Sequence, residues 1–154
     1  MTINISSFLS PSDVFLDVRS PDKFSLLRDL AQRASPSTGL TSDMIVAELM
    51  KREQLGSTGV GGGVAVPHAR YIGLKKPFGL VARLKPAVDF EAIDDLPVDL
   101  VFVLLVPSTA DGDHLNMLAA VSRRMRSREV TQKLRSIQDP NIFYRLLIAE
   151  PEKH

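Results

Sequence analysis

The chain contains no cysteine, so a disulfide framework, a thiolate metal site and a cysteine nucleophile are all excluded at once. It also lacks a surplus of either charge: 19 Lys and Arg stand against 18 Asp and Glu, a formal net charge of +1. So even a balance argues against nucleic acid as a partner. No apolar stretch approaches the roughly 18 residues of a membrane-spanning helix. The N-terminus MTINISSFLSPSDVF has no basic segment leading into an apolar run, so a cytoplasmic chain without membrane insertion is expected. Internal repeats, low-complexity tracts and linker-like composition shifts are missing too, and the ten prolines are scattered.

What is present suits one domain. The 154 residues are 44% hydrophobic and 24% charged, close to globular averages. A chain of this length buries roughly two thirds of the surface it would expose unfolded. We expect a single domain over 1–154, with EPEKH at 150–154 as a loose tail.

The pattern predicts interleaved helices and strands. VFLDV at 14–18 suits a first strand, followed by a helix with Ser20 as cap, Pro21 at its first position and Phe24, Leu27, Leu30, Ala31 and Ala34 on one face. Thr41 caps a second helix that turns Ile45, Leu49 and Val46 inward and runs to about Arg52 before Gly56 ends it. Short strands are expected at 64–66 and 79–85. VDLVFVLLV at 98–106 is apolar and β-branched enough to be a central strand buried on both faces. A loop then leads into a helix with Asp111 or Asp113 near its start, His114 in its first turn and Leu115, Leu118, Val121 and Met125 inward. Further helices carry Val130, Leu134 and Ile137, and then, after Asp139-Pro140, Ile142, Phe143, Leu146 and Leu147. The fold class expected is α/β, a mixed β-sheet flanked by α-helices in a three-layer sandwich.

One stretch stands apart from this ordinary pattern. GSTGVGGGVAVPHAR at 56–70 gathers five of the nine glycines with two hydroxyls and a Pro-His pair. Glycines let backbone N–H groups converge on an anion, so Gly56, Ser57, Thr58 and Gly59 form a candidate phosphoryl-binding loop, or else a flexible connection. Nucleotide fingerprints fail: Gly56 and Gly61 have P-loop spacing, but Gly62-Gly63 stand where Lys and Ser or Thr are required. Pro67 restricts Val66 to extended geometry and fixes its own φ, so His68 is delivered in a defined direction at the end of the short strand. A neutral imidazole held there has one lone pair for covalent chemistry.

His114 and Arg52 are the other candidates, since an imidazole N–H or a cation beside a phosphoryl group stabilises its charge of roughly −2. Arg52 equally suits the end of a helix as a partner for its dipole. Asp111, Asp113 and His114 raise a metal reading without a recognisable ligand spacing, and capping by the aspartates is the simpler expectation. SRRMRSREVTQKLRS places six basic residues between 123 and 135, either a solvated helix face or a docking surface for an acidic partner.

KREQLGSTGVGGGVAVPHAR, DLPVDLVFVLLVP and HLNMLAAVSRRM, in that order, resemble the enzyme IIA domain of the fructose/mannitol class of the bacterial phosphotransferase system, most of all its nitrogen-regulatory members. The resemblance spans nearly the whole chain. It implies a mixed sheet flanked by helices, His68 as phosphoacceptor, and His114 and Arg52 as supports of the phosphoryl group. It also implies a donor, the small histidine phosphocarrier protein, charged from phosphoenolpyruvate through enzyme I. No nucleotide or other cofactor and no metal is implied, and the role is regulatory rather than that of a free-standing turnover enzyme. Nitrogen-regulatory members control target proteins by their phosphorylation state, whereas sugar-transporting relatives hand the group to a IIB domain. VDFEAIDDLPVDL and the absence of a fused IIB or membrane domain favour the regulatory class. A metal-dependent hydrolase using His68, His114 and an aspartate, and a binding module that is never phosphorylated, are the readings from other classes. Two positions depart from the family pattern: Gly62 where relatives often have Asn, and Ala69 where they often have Gly.

Overall fold

A computed structural model describes residues 3–109 and 112–149. Six strands form one mixed sheet: β1 (Leu9–Val18), β2 (Gly59–Gly61), β3 (Val64–Ala65), β4 (His68–Tyr71), β5 (Phe78–Val88) and β6 (Val98–Pro107). The order is β1-β5-β6-β3-β2, with β4 also paired to β6. β6 is antiparallel to β5 and parallel to both β3 and β4, so it is central, as its composition predicts. The helices are α1 (Lys23–Thr38), α2 (Ser42–Gln54), α3 (Asp113–Arg126), α4 (Arg128–Ser136) and α5 (Pro140–Ile148).

Alternation along β6 divides the core in two, because successive strand side chains point to opposite faces. Val101, Val103 and Leu105 join Leu27, Leu30, Ile45 and Leu49 of α1 and α2 on one face. Leu100, Phe102 and Leu104 join Val121, Met125, Leu134 and Phe143 of α3, α4 and α5 on the other. The three-layer α/β sandwich follows directly.

Several local expectations are corrected. α1 starts at Lys23, not Pro21: Asp22 is the cap and its carboxylate accepts the Ser25 N–H at 2.8 Å, while Ser20 Oγ only reaches the Asp22 carbonyl. A carboxylate beats a hydroxyl at this position because it also meets the positive end of the helix dipole. Leu26 joins Leu27, Leu30, Ala31 and Ala34 in the core, whereas Phe24, in the first turn, is 49% exposed. Leu115 and Ile142 are likewise outward, at 61% and 48%. β1 begins earlier than expected, at Leu9, and tolerates Pro11 because it is an edge strand whose pairing with β5 is irregular between Leu9 and Val14. Gly112, not an aspartate, caps α3. Asp113 lies inside its first turn, and Asp111 lies outside the described residues, as does the expected tail at 150–154.

The basic run at 123–135 is neither purely solvated nor simply a free surface. Arg124 donates to the carbonyls of Leu146 and Leu147 at the end of α5, and Arg135 grips both oxygens of Asp99 at 2.9 and 2.8 Å and the Gly62 carbonyl. These two arginines tie elements together, Arg124 through carbonyls in the last turn of α5 and Arg135 through Asp99 and the Gly62 carbonyl.

Phe102 has no exposed surface and meets Phe8 edge-on with ring centroids 6.2 Å apart. Phe102→Ala is expected to cost about 3–5 kcal/mol in urea unfolding, with an unchanged dependence on denaturant.

Candidate functional site

The end of α2 is fixed by a buried carboxylate. Glu53 accepts the Thr58 N–H at 3.0 and 3.1 Å, accepts the Thr58 hydroxyl, and pairs with Lys23 Nζ at 3.4 Å. Lys23 reaches on to the Phe90 carbonyl and lies 4.9 Å over the Phe90 ring. Ser57 Oγ donates to the same carbonyl at 2.6 Å and accepts the Gly59 N–H at 3.0 Å. Gly59 has no room for a side chain, since a Cβ there would lie 2.7 Å from the Cβ of Ala92. The loop is therefore sewn inward, and the helix end beside it presents Arg52, whose Nη1 donates to the Gly56 carbonyl at 2.9 Å.

Pro67 separates β3 from β4. Val66 donates to the Thr58 carbonyl and the Pro67 carbonyl accepts the Leu104 N–H, so the chain stays in the sheet across the break. His68 is thus the first residue of a strand rather than an appendage to one, opposite Leu104 in register. Its Nδ1 lies 2.8 Å from the Val66 carbonyl. A carbonyl only accepts, so Nδ1 carries the proton and Nε2 carries the lone pair. Burial pushes the His68 pKa below the ordinary imidazole value; the Val66 hydrogen bond opposes this, the Arg52 and His114 charges add to it, and Glu53 opposes it.

At the outer edge of β4, between the end of α2 and the start of α3, a cavity of about 360 Å³ is lined by Arg52, His68, Arg70 and His114. Its apolar wall includes Leu55 and Leu115, 84% and 61% exposed. Three of the residues singled out in the sequence therefore share one cavity. The candidate phosphoryl loop does not line it: Gly56 and Ser57 face a neighbouring cavity with Lys23 and Glu53, and Thr58 and Gly59 are buried. Arg70 is the residue that sequence reasoning missed, and its Nη2 is hydrogen-bonded to His114 Nε2. The missing signal was β4 itself, because only strand alternation puts residues 68 and 70 on one face. Among the described residues no three His, Asp or Glu side chains converge to hold a metal ion.

Residues 7–150 match the family model described as "Phosphoenolpyruvate-dependent sugar phosphotransferase system, EIIA 2". The chain belongs to this EIIA family. It is similar to the nitrogen regulatory protein of Bradyrhizobium diazoefficiens, 40% identical over 147 residues that cover 96% of each chain. It is also similar to a fructose-like EIIA component of Escherichia coli, 32% identical over 82% of this chain and 86% of that one. The crystal structure of nitrogen regulatory protein IIA-Ntr from Neisseria meningitidis superposes with a TM-score of 0.89 at 32% identity, covering 93% of this chain and 98% of that one. No helix among the described residues is long and apolar enough to cross a membrane.

Both departures from the family pattern find a place in this EIIA domain. Gly62 has φ 65 with open space around it, the left-handed conformation that Asn tolerates better than most residues. Its N–H is held by Asp94 at 2.9 Å, so the turn is anchored from outside and no side chain at 62 is needed for that. Ala69 points away from His68 and packs against the α1–α2 core.

Two outcomes follow from this geometry. Removing Glu53 leaves a buried lysine without its carboxylate and Thr58 without its acceptor, so Glu53→Ala should lose about 3–5 kcal/mol in urea unfolding. Glu53→Gln should lose less, because an amide oxygen still accepts from Thr58. For His68, the folded-state pKa lies below the value of 6.5 that serves as the unfolded reference. Between the two values the unfolded chain binds more protons, so this group's contribution to stability falls as pH drops through that window and is constant above it. An NMR titration should place the His68 midpoint below 6.5, and His68→Gln should remove its part of the pH slope in unfolding.

Proposed function

We propose that the chain is a phosphoryl carrier and regulatory protein of a nitrogen-type phosphotransferase system, accepting a phosphoryl group on His68 from the histidine phosphocarrier protein. The observation that carries this reading is the Val66 carbonyl on His68 Nδ1, which leaves Nε2 as the nucleophile in a cavity also lined by Arg52 and His114. As the new P–N bond forms at Nε2, the P–N bond to the donor histidine breaks and the pair of electrons returns to the donor ring. The His68 ring gains positive charge in that step, and its Nδ1–H bond to Val66 stabilises it. A depressed pKa keeps the attacking ring neutral at pH 7.

Positioning and electrostatics supply the rest, as in phosphoryl transfer generally. Arg52 and His114 act on the phosphoryl oxygens, and the Gly56–Gly59 loop acts indirectly by anchoring the end of α2. Phosphorylation state then controls target proteins, at a cytoplasmic site. The regulatory role is supported by 40% identity to a nitrogen regulatory protein over 96% of the chain, against 32% over 82% for the fructose-like relative. That second likeness supports the other reading, in which His68 passes its group to a IIB domain.

Purified protein incubated with phosphoenolpyruvate, enzyme I and the carrier should gain one phosphoryl group, labile in acid and stable in base. His68→Ala should gain none. His114→Ala and Arg52→Ala should still be modified, with single-turnover transfer slowed by up to about 10²-fold, the lower end for donors to a developing anion because this cavity is open to water. Modification of His68→Ala to the wild-type extent would overturn the assignment, and transfer onward to a IIB domain would favour the sugar-transport reading.

A further inference from the structure

We propose that Arg70 is a positioning residue of the phosphoryl site: its guanidinium holds His114 in the Nδ1–H tautomer and thereby decides how that ring meets a phosphoryl group on His68. The inference rests on the reading of His68 as the phosphoryl acceptor. Its first support is the hydrogen bond itself, between Arg70 Nη2 and His114 Nε2. A guanidinium has five donors, no acceptor, and does not deprotonate in proteins. Nε2 must therefore be the accepting nitrogen, and the ring proton sits on Nδ1.

The second support is the strand. β4 pairs His68 with Leu104 and Arg70 with Val106 on β6, while Ala69 and Tyr71 turn to the opposite face, where the Tyr71 hydroxyl donates to the Ile45 carbonyl of α2 at 2.6 Å. His68 and Arg70 are thus neighbours on one face of a rigid element, and both line the cavity that His114 closes from α3. The spacing is set by the strand rather than by a mobile loop. With Nε2 engaged by Arg70, His114 meets the phosphoryl group as a neutral ring backed by a fixed cation rather than as an imidazolium. Arg52 and Arg70 then stand on the α2 and α3 sides of His68 as the two guanidinium groups of the cavity.

The test reads the ring nitrogens directly. Heteronuclear NMR of the full chain without donor, at about pH 8.5, two units above the ordinary histidine value, should show His114 with an unprotonated Nε2 and a protonated Nδ1. Arg70→Met, checked for folding by its amide spectrum, should lose that preference and show Nε2–H. Arg70→Lys should restore it, since an ammonium also only donates. In single-turnover transfer from the phosphorylated carrier, Arg70→Met should be about tenfold slower than wild type, the scale of one charge-assisted hydrogen bond. Arg70→Lys should recover most of that loss. A protonated Nε2 on His114 in the wild type overturns the proposal, as does an Arg70→Met variant with wild-type tautomer and wild-type rate. Failure of the His68 reading is separate: it appears as a wild type that gains no phosphoryl group from a competent donor, whatever the tautomer spectrum shows.

Discussion

Pro67 has no N–H, and the arrangement of the site depends on that one absence. A residue with an N–H would let β3 and β4 run as one strand along β6. With proline there, the ladder stops at Ala65 and resumes at His68, held across the gap by the Pro67 carbonyl and the Leu104 N–H. The Val66 carbonyl, on the side of the strand whose N–H bonds Thr58 rather than β6, is hydrogen-bonded to the His68 ring two residues on. The proline thus accounts for the break in the ladder, and the Val66 carbonyl fixes the tautomer. In the proposed transfer, the nucleophilic nitrogen follows from that tautomer.

Glu53 plays the matching part on the other wall. A carboxylate placed beside Lys23 and Thr58 in the interior is not a cheap way to hold a loop, because desolvating the pair offsets much of their attraction. What it provides is geometry. The carboxylate joins α1 through Lys23, α2 through its own backbone and the loop through Thr58, while Lys23 and Ser57 share the Phe90 carbonyl. Arg52, the residue before Glu53, is then presented from a helix end held by these contacts. Of the glycines in this stretch, Gly59 serves close packing against Ala92, whereas Gly56 and Gly62 have positive φ and open space around them.

Much of this was legible in the sequence, and the parts that were not share a cause. Long periodic segments announced themselves: β6 by eight apolar residues among the nine of VDLVFVLLV, α2 by its Thr41 cap, α5 by Asp139-Pro140. So did His68, because Pro-His after glycines is a local signal. Arg70 and the inward use of the loop were invisible, since each depends on a partner distant in sequence. Arg70 needs His114, Ser57 needs Phe90, and β4 is recognised as a strand only through its pairing with β6. The error at Phe24 is of a different kind. The rest of that face, Leu27, Leu30, Ala31 and Ala34, is buried as expected, and only Phe24, the second residue of α1, lies outside the packed stripe.

The charges around the cavity acquire meaning from the proposed role. Before phosphorylation, two arginines and a neutral His68 leave this wall positive, with Leu55 and Leu115 exposed beside it. A phosphoryl group brings a charge of roughly −2 at neutral pH, which matches the two guanidinium groups in magnitude. With such a group on His68 the local sum of these charges would move from positive to near zero. A partner whose surface carries carboxylates beside apolar groups is attracted to the first state and loses most of that attraction in the second. A partner that relies on the rim alone is indifferent to both. On the proposed reading, control by phosphorylation can act through this change of charge, because like and unlike charges within a Debye length of about 8–10 Å discriminate the two states.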